Sequence, residues 1–136
     1  MDGPKLRELQ PDVVITQGLC PVCAVSLEEV EEVWEEHTDT KPEILGLSPT
    51  TMSEVVNDVR IVGKALNLDS EKVEAVAGSL DRRIENAKGV AEAAVASGHR
   101  PVVAFLEWYD PIFVAGHWTA EMLSRAGKLN LTHLCH

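Results

Sequence analysis

From Glu71 to Ser97 no proline interrupts the chain, and Val73, Val76, Leu80, Ile84, Ala87, Ala91 and Ala94 recur at helical spacing. Gly98 is a natural stop at the end of that run. A helix of this length spans roughly 40 Å at about 1.5 Å per residue. That is long for a chain of 136 residues, which has room for one ordinary domain with a real core. Gly78 and Gly89 inside it each cost about 1 kcal/mol against alanine, so packing must hold the helix. Its apolar stripe is narrow and rich in alanine, as in a strut that lies along other elements.

The segments around this strut alternate. Val13-Val14-Ile15, between Pro11-Asp12 and Gly18, reads as a short buried strand. Ser26 and Glu29 stand at capping-box spacing, so a helix should begin near Leu27, with Val30, Val33, Trp34 and His37 on one face. Ile44 to Leu47 gives a second strand. Thr51 and Glu54 repeat the capping box, and Met52, Val55, Val56, Val59, Val62 and Leu66 form the stripe of another helix. A third strand is expected from Val102 to Leu106, then a loop, then a helix from Trp118 to Ala126. Strand, helix, strand, two helices, strand, helix predicts an α/β fold: a parallel sheet with crossover helices and one long connecting helix.

Ligands of open parallel sheets bind beyond the carboxyl ends of the strands. The residues just past the three expected strands are Thr16-Gln17-Gly18-Leu19-Cys20, Ser48-Pro49-Thr50-Thr51 and Glu107-Trp108-Tyr109-Asp110. Every aromatic of the chain except Trp34 falls between Phe105 and Trp118. Aromatic faces beside a few polar groups suit a large flat ligand; the plainer alternative makes Trp108 and Phe113 core residues. Glu107 and Asp110 offer paired carboxylates, but no nucleophile with an adjacent base and no glycine-rich phosphate loop accompanies them, so no enzyme activity is expected. His117 is a candidate donor, metal-centre ligand or helix cap.

Cys20-Pro21-Val22-Cys23 has the spacing of a redox dithiol, or of half a zinc site completed by His133, Cys135 or His136. The plainest reading makes both thiols small residues of a tight turn. Three cysteines are an odd number for a disulfide framework and fit a reducing compartment. The start, Met1-Asp2-Gly3-Pro4-Lys5, lacks the apolar core of an export signal, so the chain as written reads as cytoplasmic. No apolar run reaches the roughly 20 residues of a membrane span. A formal charge of −10 argues against nucleic acid. Much of it lies in Glu28, Glu29, Glu31, Glu32, Glu35 and Glu36, a solvated helix face or a docking patch. Too few strands to pair every edge, and a narrow stripe with little to cover it, predict self-association, most simply a dimer.

Five motifs carry a resemblance: Pro11 to Gln17, Cys20-x-x-Cys23-Ala24-Val25-Ser26, Leu47 to Thr51, Phe105-Leu106-Glu107-Trp108-x-Asp110-Pro111, and Gly116-His117-Trp118. In this order, from Leu6 to about Gly127, the chain resembles the cobalamin-binding substrate-binding proteins of ABC importers, of the helical-backbone class of periplasmic binding proteins. Relatives bind haem or ferric siderophores. The resemblance implies two α/β lobes joined by one long helix, with a corrinoid between them as a non-covalent ligand. It implies ligand contacts at Gln17, Cys20, Glu107, Trp108, Tyr109, Asp110, His117 and Trp118. It also implies that Glu28 or Glu29 docks onto arginines of a membrane permease. The family is commonly periplasmic or surface-anchored. Against it, this chain reads as a partial version: residues 1–50 as the remnant of a first lobe, 51–97 as helices including the inter-lobe strut, and 98–136 as the start of a second lobe with a divergent tail. The rival classes are a thiol-redox or zinc protein built on Cys20 and Cys23, and an interaction protein using the acidic helix.

Overall fold

The computed structural model describes residues 2–18, 27–37, 42–99, 101–127 and 129–130. The chain divides into two compact units, Met1–Ser48 with Ile61–Asp69, and Pro49–Arg60 with Ser70–His136. The α/β class expected from the sequence is the class observed.

In the first unit, α1 (Gly3–Leu9) starts where the Asp2 carboxylate accepts the Lys5 amide at 3.0 Å, with a proline in its first turn. It ends at Gln10 in the left-handed region, φ 41°. No expectation covered this helix, because seven residues are too few to display an apolar period. Strand β1 (Val13–Gln17) pairs in parallel with β2 (Glu43–Leu47), from Val13 opposite Glu43 to Gln17 opposite Leu47. The connection carries α2 (Leu27–His37), in the expected region. Val30 and Trp34 are its buried face. The start of α2 packs on the sheet at Gly46, where an added Cβ would lie 3.1 Å from Leu27 Cδ2.

Helix α3 (Met52–Ala65) is followed by α4 (Ser70–Ala96), the long helix. Asn67, φ 49°, ends α3: its amide donates to the Lys64 carbonyl and the Leu68 amide to Gly63. Gly98, φ 91°, ends α4 in the same way, with its amide on the Val95 carbonyl and the His99 amide on Ala94. Both are left-handed caps that satisfy terminal carbonyls. The buried side of α4 differs in part from the expected stripe. Ala77, absent from that stripe, is fully buried, while Val76 is 53% exposed. Ala77 is buried with only a methyl side chain, which an apolar count weighted toward size does not register.

The third expected strand is corrected. Val102 to Leu106 is not one strand of a single parallel sheet. Strand β3 (Val102–Val103) pairs in parallel with β6 (Leu129–Asn130), while β4 (Leu106–Tyr109) turns back and pairs antiparallel with β5 (Ile112–Val114). Asp110-Pro111, joined by a cis peptide, makes the two-residue connection. The cross-strand pairs Trp108 with Phe113 and Tyr109 with Ile112 are of the aromatic and β-branched kind that stabilise antiparallel ladders. Helix α5 (His117–Arg125) follows and ends near Gly127, φ 72°. There an added Cβ would stand 2.9 Å from Val95 Cγ2, so only glycine fits both the angle and the space.

Candidate functional site

At the carboxyl edge of the first unit's sheet, Gln17 ends β1 opposite Leu47, and the Gly18 amide donates to the Leu47 carbonyl at 3.2 Å. A Cβ on Gly18 would fall 2.5 Å from Ser48 Oγ, so the chain leaves the strand through a position that glycine alone occupies without displacement. Gln17, Gly18 and Ser48 are exposed. Among the described residues this edge presents one amide side chain and one hydroxyl: hydrogen-bonding capacity without charge. Cys20 and Cys23, which follow, lie outside the described residues, as do His133, Cys135 and His136. Among the described residues no three of His, Cys, Asp and Glu gather as a metal-binding group. Glu28 and Glu29 occupy the first turn of α2 and are exposed.

In the second unit the aromatic segment is a hairpin rather than a loop, and its apolar side chains are not core. Trp108 is 57% exposed, Tyr109 79%, Ile112 65% and Phe113 58%. The reading of Trp108 and Phe113 as buried is therefore wrong. Among the described residues nothing packs over these side chains to exclude water. The indole and phenol rings stack, centroids 6.0 Å apart and planes 21° from parallel. The indole Nε1–H donates to the Asp110 carbonyl at 2.7 Å, pinning Trp108 against the turn. Between Leu106, opposite Val114, and Trp108, opposite Phe113, the ladder shifts register, and Glu107 is the extra residue. Such a bulge re-aims neighbouring side chains and sits preferentially beside functional sites. The Ala115 amide donates to the Phe105 carbonyl at 2.9 Å, tying the hairpin's base to the fully buried Ala115.

His117 opens α5 with φ 50°, and its side chain is exposed. Gly116 is the N-cap residue, without a side-chain cap. Trp118 is half-buried. Glu107, Trp108, Tyr109, Asp110, His117 and Trp118 thus share one short stretch of the second unit, with the stacked rings at its exposed end.

Glu121 was not anticipated. Its Oε2 accepts the Met52 amide at 2.7 Å and its Oε1 the Arg125 Nε–H at 2.7 Å, so a carboxylate from α5 caps the start of α3. The Met52 amide, then burial in the opposite sense, then Arg125 leave the Glu121 carboxyl below its ordinary pKa. Only the Glu121–Arg125 spacing hinted at an ion pair; the partner 69 positions away left no local signal. The capping box was legible: the Glu54 amide donates to Thr51 Oγ1 at 3.2 Å, and Glu54 Oε2 accepts the Thr50 and Thr51 amides.

No protein-family model and no curated protein matches the sequence. The fold is a partial version of the helical-backbone substrate-binding-protein fold of ABC importers. Its solved examples include the periplasmic vitamin B12-binding protein BtuF of Vibrio cholerae, with TM-score 0.65 and 19% identity over 93% of this chain and 45% of that one. An ABC transporter substrate-binding protein of Listeria monocytogenes gives TM-score 0.60 and 17% identity over 95% of this chain and 46% of that one. The chain therefore spans less than half the length of either. Both are binding proteins rather than enzymes. No described helix is long and apolar enough to cross a membrane.

Proposed function

We propose that this chain binds a corrinoid, cobalamin or a close relative, non-covalently and without catalysis, as the substrate-binding component of an ABC-type importer or a reduced relative of one. The observation that carries the reading is the exposed, stacked Trp108–Tyr109 pair on a bulged hairpin. A flat macrocycle loses water against such a face, and each aromatic contributes both area and quadrupole attraction. Glu107, Asp110 and His117 supply polar contacts at the ligand's amide-bearing rim, and Trp118 supports them. Gln17 and Cys20 are further proposed contacts. Glu28 and Glu29, exposed at the start of α2, face a permease's arginines. On this reading residues 1–50 are a first-lobe remnant, 51–97 the helical connection and 98–136 the beginning of a second lobe. The fold likeness to a vitamin B12-binding protein supports the ligand class.

Titration with cobalamin, followed by visible absorbance and tryptophan quenching, tests the reading. Saturable quenching is expected, with Trp108→Ala weakening binding by about 1–3 kcal/mol. Unchanged affinity in Trp108→Ala would move the site elsewhere, and no saturable change in the wild type would remove corrinoids as ligands.

A further inference from the structure

We propose a second ligand site, independent of the corrinoid reading, in the groove between α3, α4 and α5: a site for a linear amphiphile carrying one carboxylate head. All three walls belong to the second unit. The groove encloses about 370 Å³, near the lower end of ligand pockets, which run from about 300 to 1,000 Å³. That volume suits a medium-length alkyl chain and is too small for a corrin macrocycle. Its floor is Met52 of α3, Leu80 and Ile84 of α4 and Met122 of α5. Two of these are unbranched methionines, which adapt to flexible apolar ligands.

The rim has the opposite chemistry. The chain carries 12 lysines and arginines against 22 aspartates and glutamates, yet Arg83, Lys88 and Arg125 converge on this one opening. Their commitments differ. Arg125 is fixed, with Nε on Glu121 Oε1 at 2.7 Å and NH1 3.3 Å from Glu85. Lys88 has only long pairs, 3.7 Å to Glu85 and 3.9 Å to Glu92. Arg83 is exposed and pairs with no carboxylate among the described residues. A cation without a partner at the mouth of an apolar groove, in a chain of strong negative charge, is complementary to an anionic head with an apolar tail. Arg83 binds the carboxylate through its planar fork, Lys88 adds a mobile charge, and the tail lies over Ile84 between the two methionines.

The test uses the full chain with ¹³C-methyl methionine, because Met52 and Met122 put a reporter on two walls of the groove. Decanoate is titrated below its micelle concentration, beside decanol and decyltrimethylammonium. Both methyl signals should shift saturably with decanoate, and Arg83→Glu should raise the half-saturation concentration at least about tenfold, while Arg83→Lys, which keeps the charge and loses the fork, should fall between the two. Arg83 is exposed, so neither substitution disturbs the fold. Static methyl signals would overturn the proposal, as would an equal response to the cationic amphiphile or wild-type binding by Arg83→Glu. Loss of the response in Trp108→Ala would assign the amphiphile to the hairpin and also overturn it. Methyl shifts that follow protein concentration alone would make a second copy the occupant and overturn it equally.

Discussion

The junction of α3, α4 and α5 and the β4–β5 hairpin belong to the same unit and solve opposite problems. At the junction helix-start amides and charged side chains are matched across elements. Glu54 takes the Thr50 and Thr51 amides, Glu121 takes the Met52 amide, Arg125 bridges Glu121 and Glu85, and Arg60 bridges Glu74 and Asp81. Val56, Ala77 and Ala91 are withdrawn from water there, beside the open groove lined by Met52, Leu80, Ile84 and Met122. The hairpin holds large apolar groups in water and secures them with little beyond the ladder and one indole hydrogen bond. Contact energy is concentrated in the first region and recognition surface in the second. This division is expected where binding elements are drawn from the less stable parts of a fold.

Identical substitutions in the two regions test that contrast most severely. Val56, 2% exposed, should not tolerate aspartate: an uncompensated buried charge costs about 3–5 kcal/mol. Phe113→Asp, at 58% exposure, should leave the unfolding free energy from denaturant titration within about 0.5 kcal/mol of wild type. Comparable losses from both would show that the hairpin is part of the core after all. A smaller effect belongs to the long-range cap. Glu121→Ala should cost about 1 kcal/mol, the usual worth of a helix cap. Its pH dependence has a definite sign. The folded carboxyl titrates below its ordinary value, chiefly because the Met52 amide donates to it. Its contribution is therefore complete above the ordinary glutamate pKa, about 4.3, and disappears as pH falls through the lower folded value. Thermal unfolding of Glu121→Gln should accordingly change less than wild type as the buffer goes from about pH 5 to 3; parallel curves would exclude the cap from acid unfolding. The smallest change is Trp108→Phe. It removes the hydrogen bond to the Asp110 carbonyl and part of the ring stacked on Tyr109, on a side chain already half in water, and should cost about 0.5 kcal/mol or less by chemical denaturation.

What the sequence discloses follows the same division. Thr51 with Glu54, the helical character of α2, the stop at Gly98 and the parallel pairing of β1 with β2 were all legible, because each depends on residues close in sequence or on a crossover rule. The hairpin was not. Val102 to Leu106 looks like one buried run, and only the pairing of Trp108 with Phe113 shows that the chain folds back. Ala77 was missed because a small buried side chain adds little to an apolar pattern, and Glu121 because its partner is remote. Of the candidate site, the sequence shows which residue types gather in 107–118 but not their exposure, which depends on what packs over them and is encoded in no local pattern.

The bulge at Glu107 has a consequence for inheritance. Nearly everywhere in a strand, loss of one codon shifts the alternation and carries each following side chain to the wrong side. Here Leu106 is opposite Val114 and Trp108 is opposite Phe113, so the residue between them is surplus to the pairing. An in-frame deletion of Glu107 would close the ladder without changing a single partner. It would relax the local twist and withdraw one negative charge from beside the stacked rings. At this position a lineage can gain or lose a carboxylate, and retune what the aromatic face accepts, in one genetic step that leaves the strand register intact.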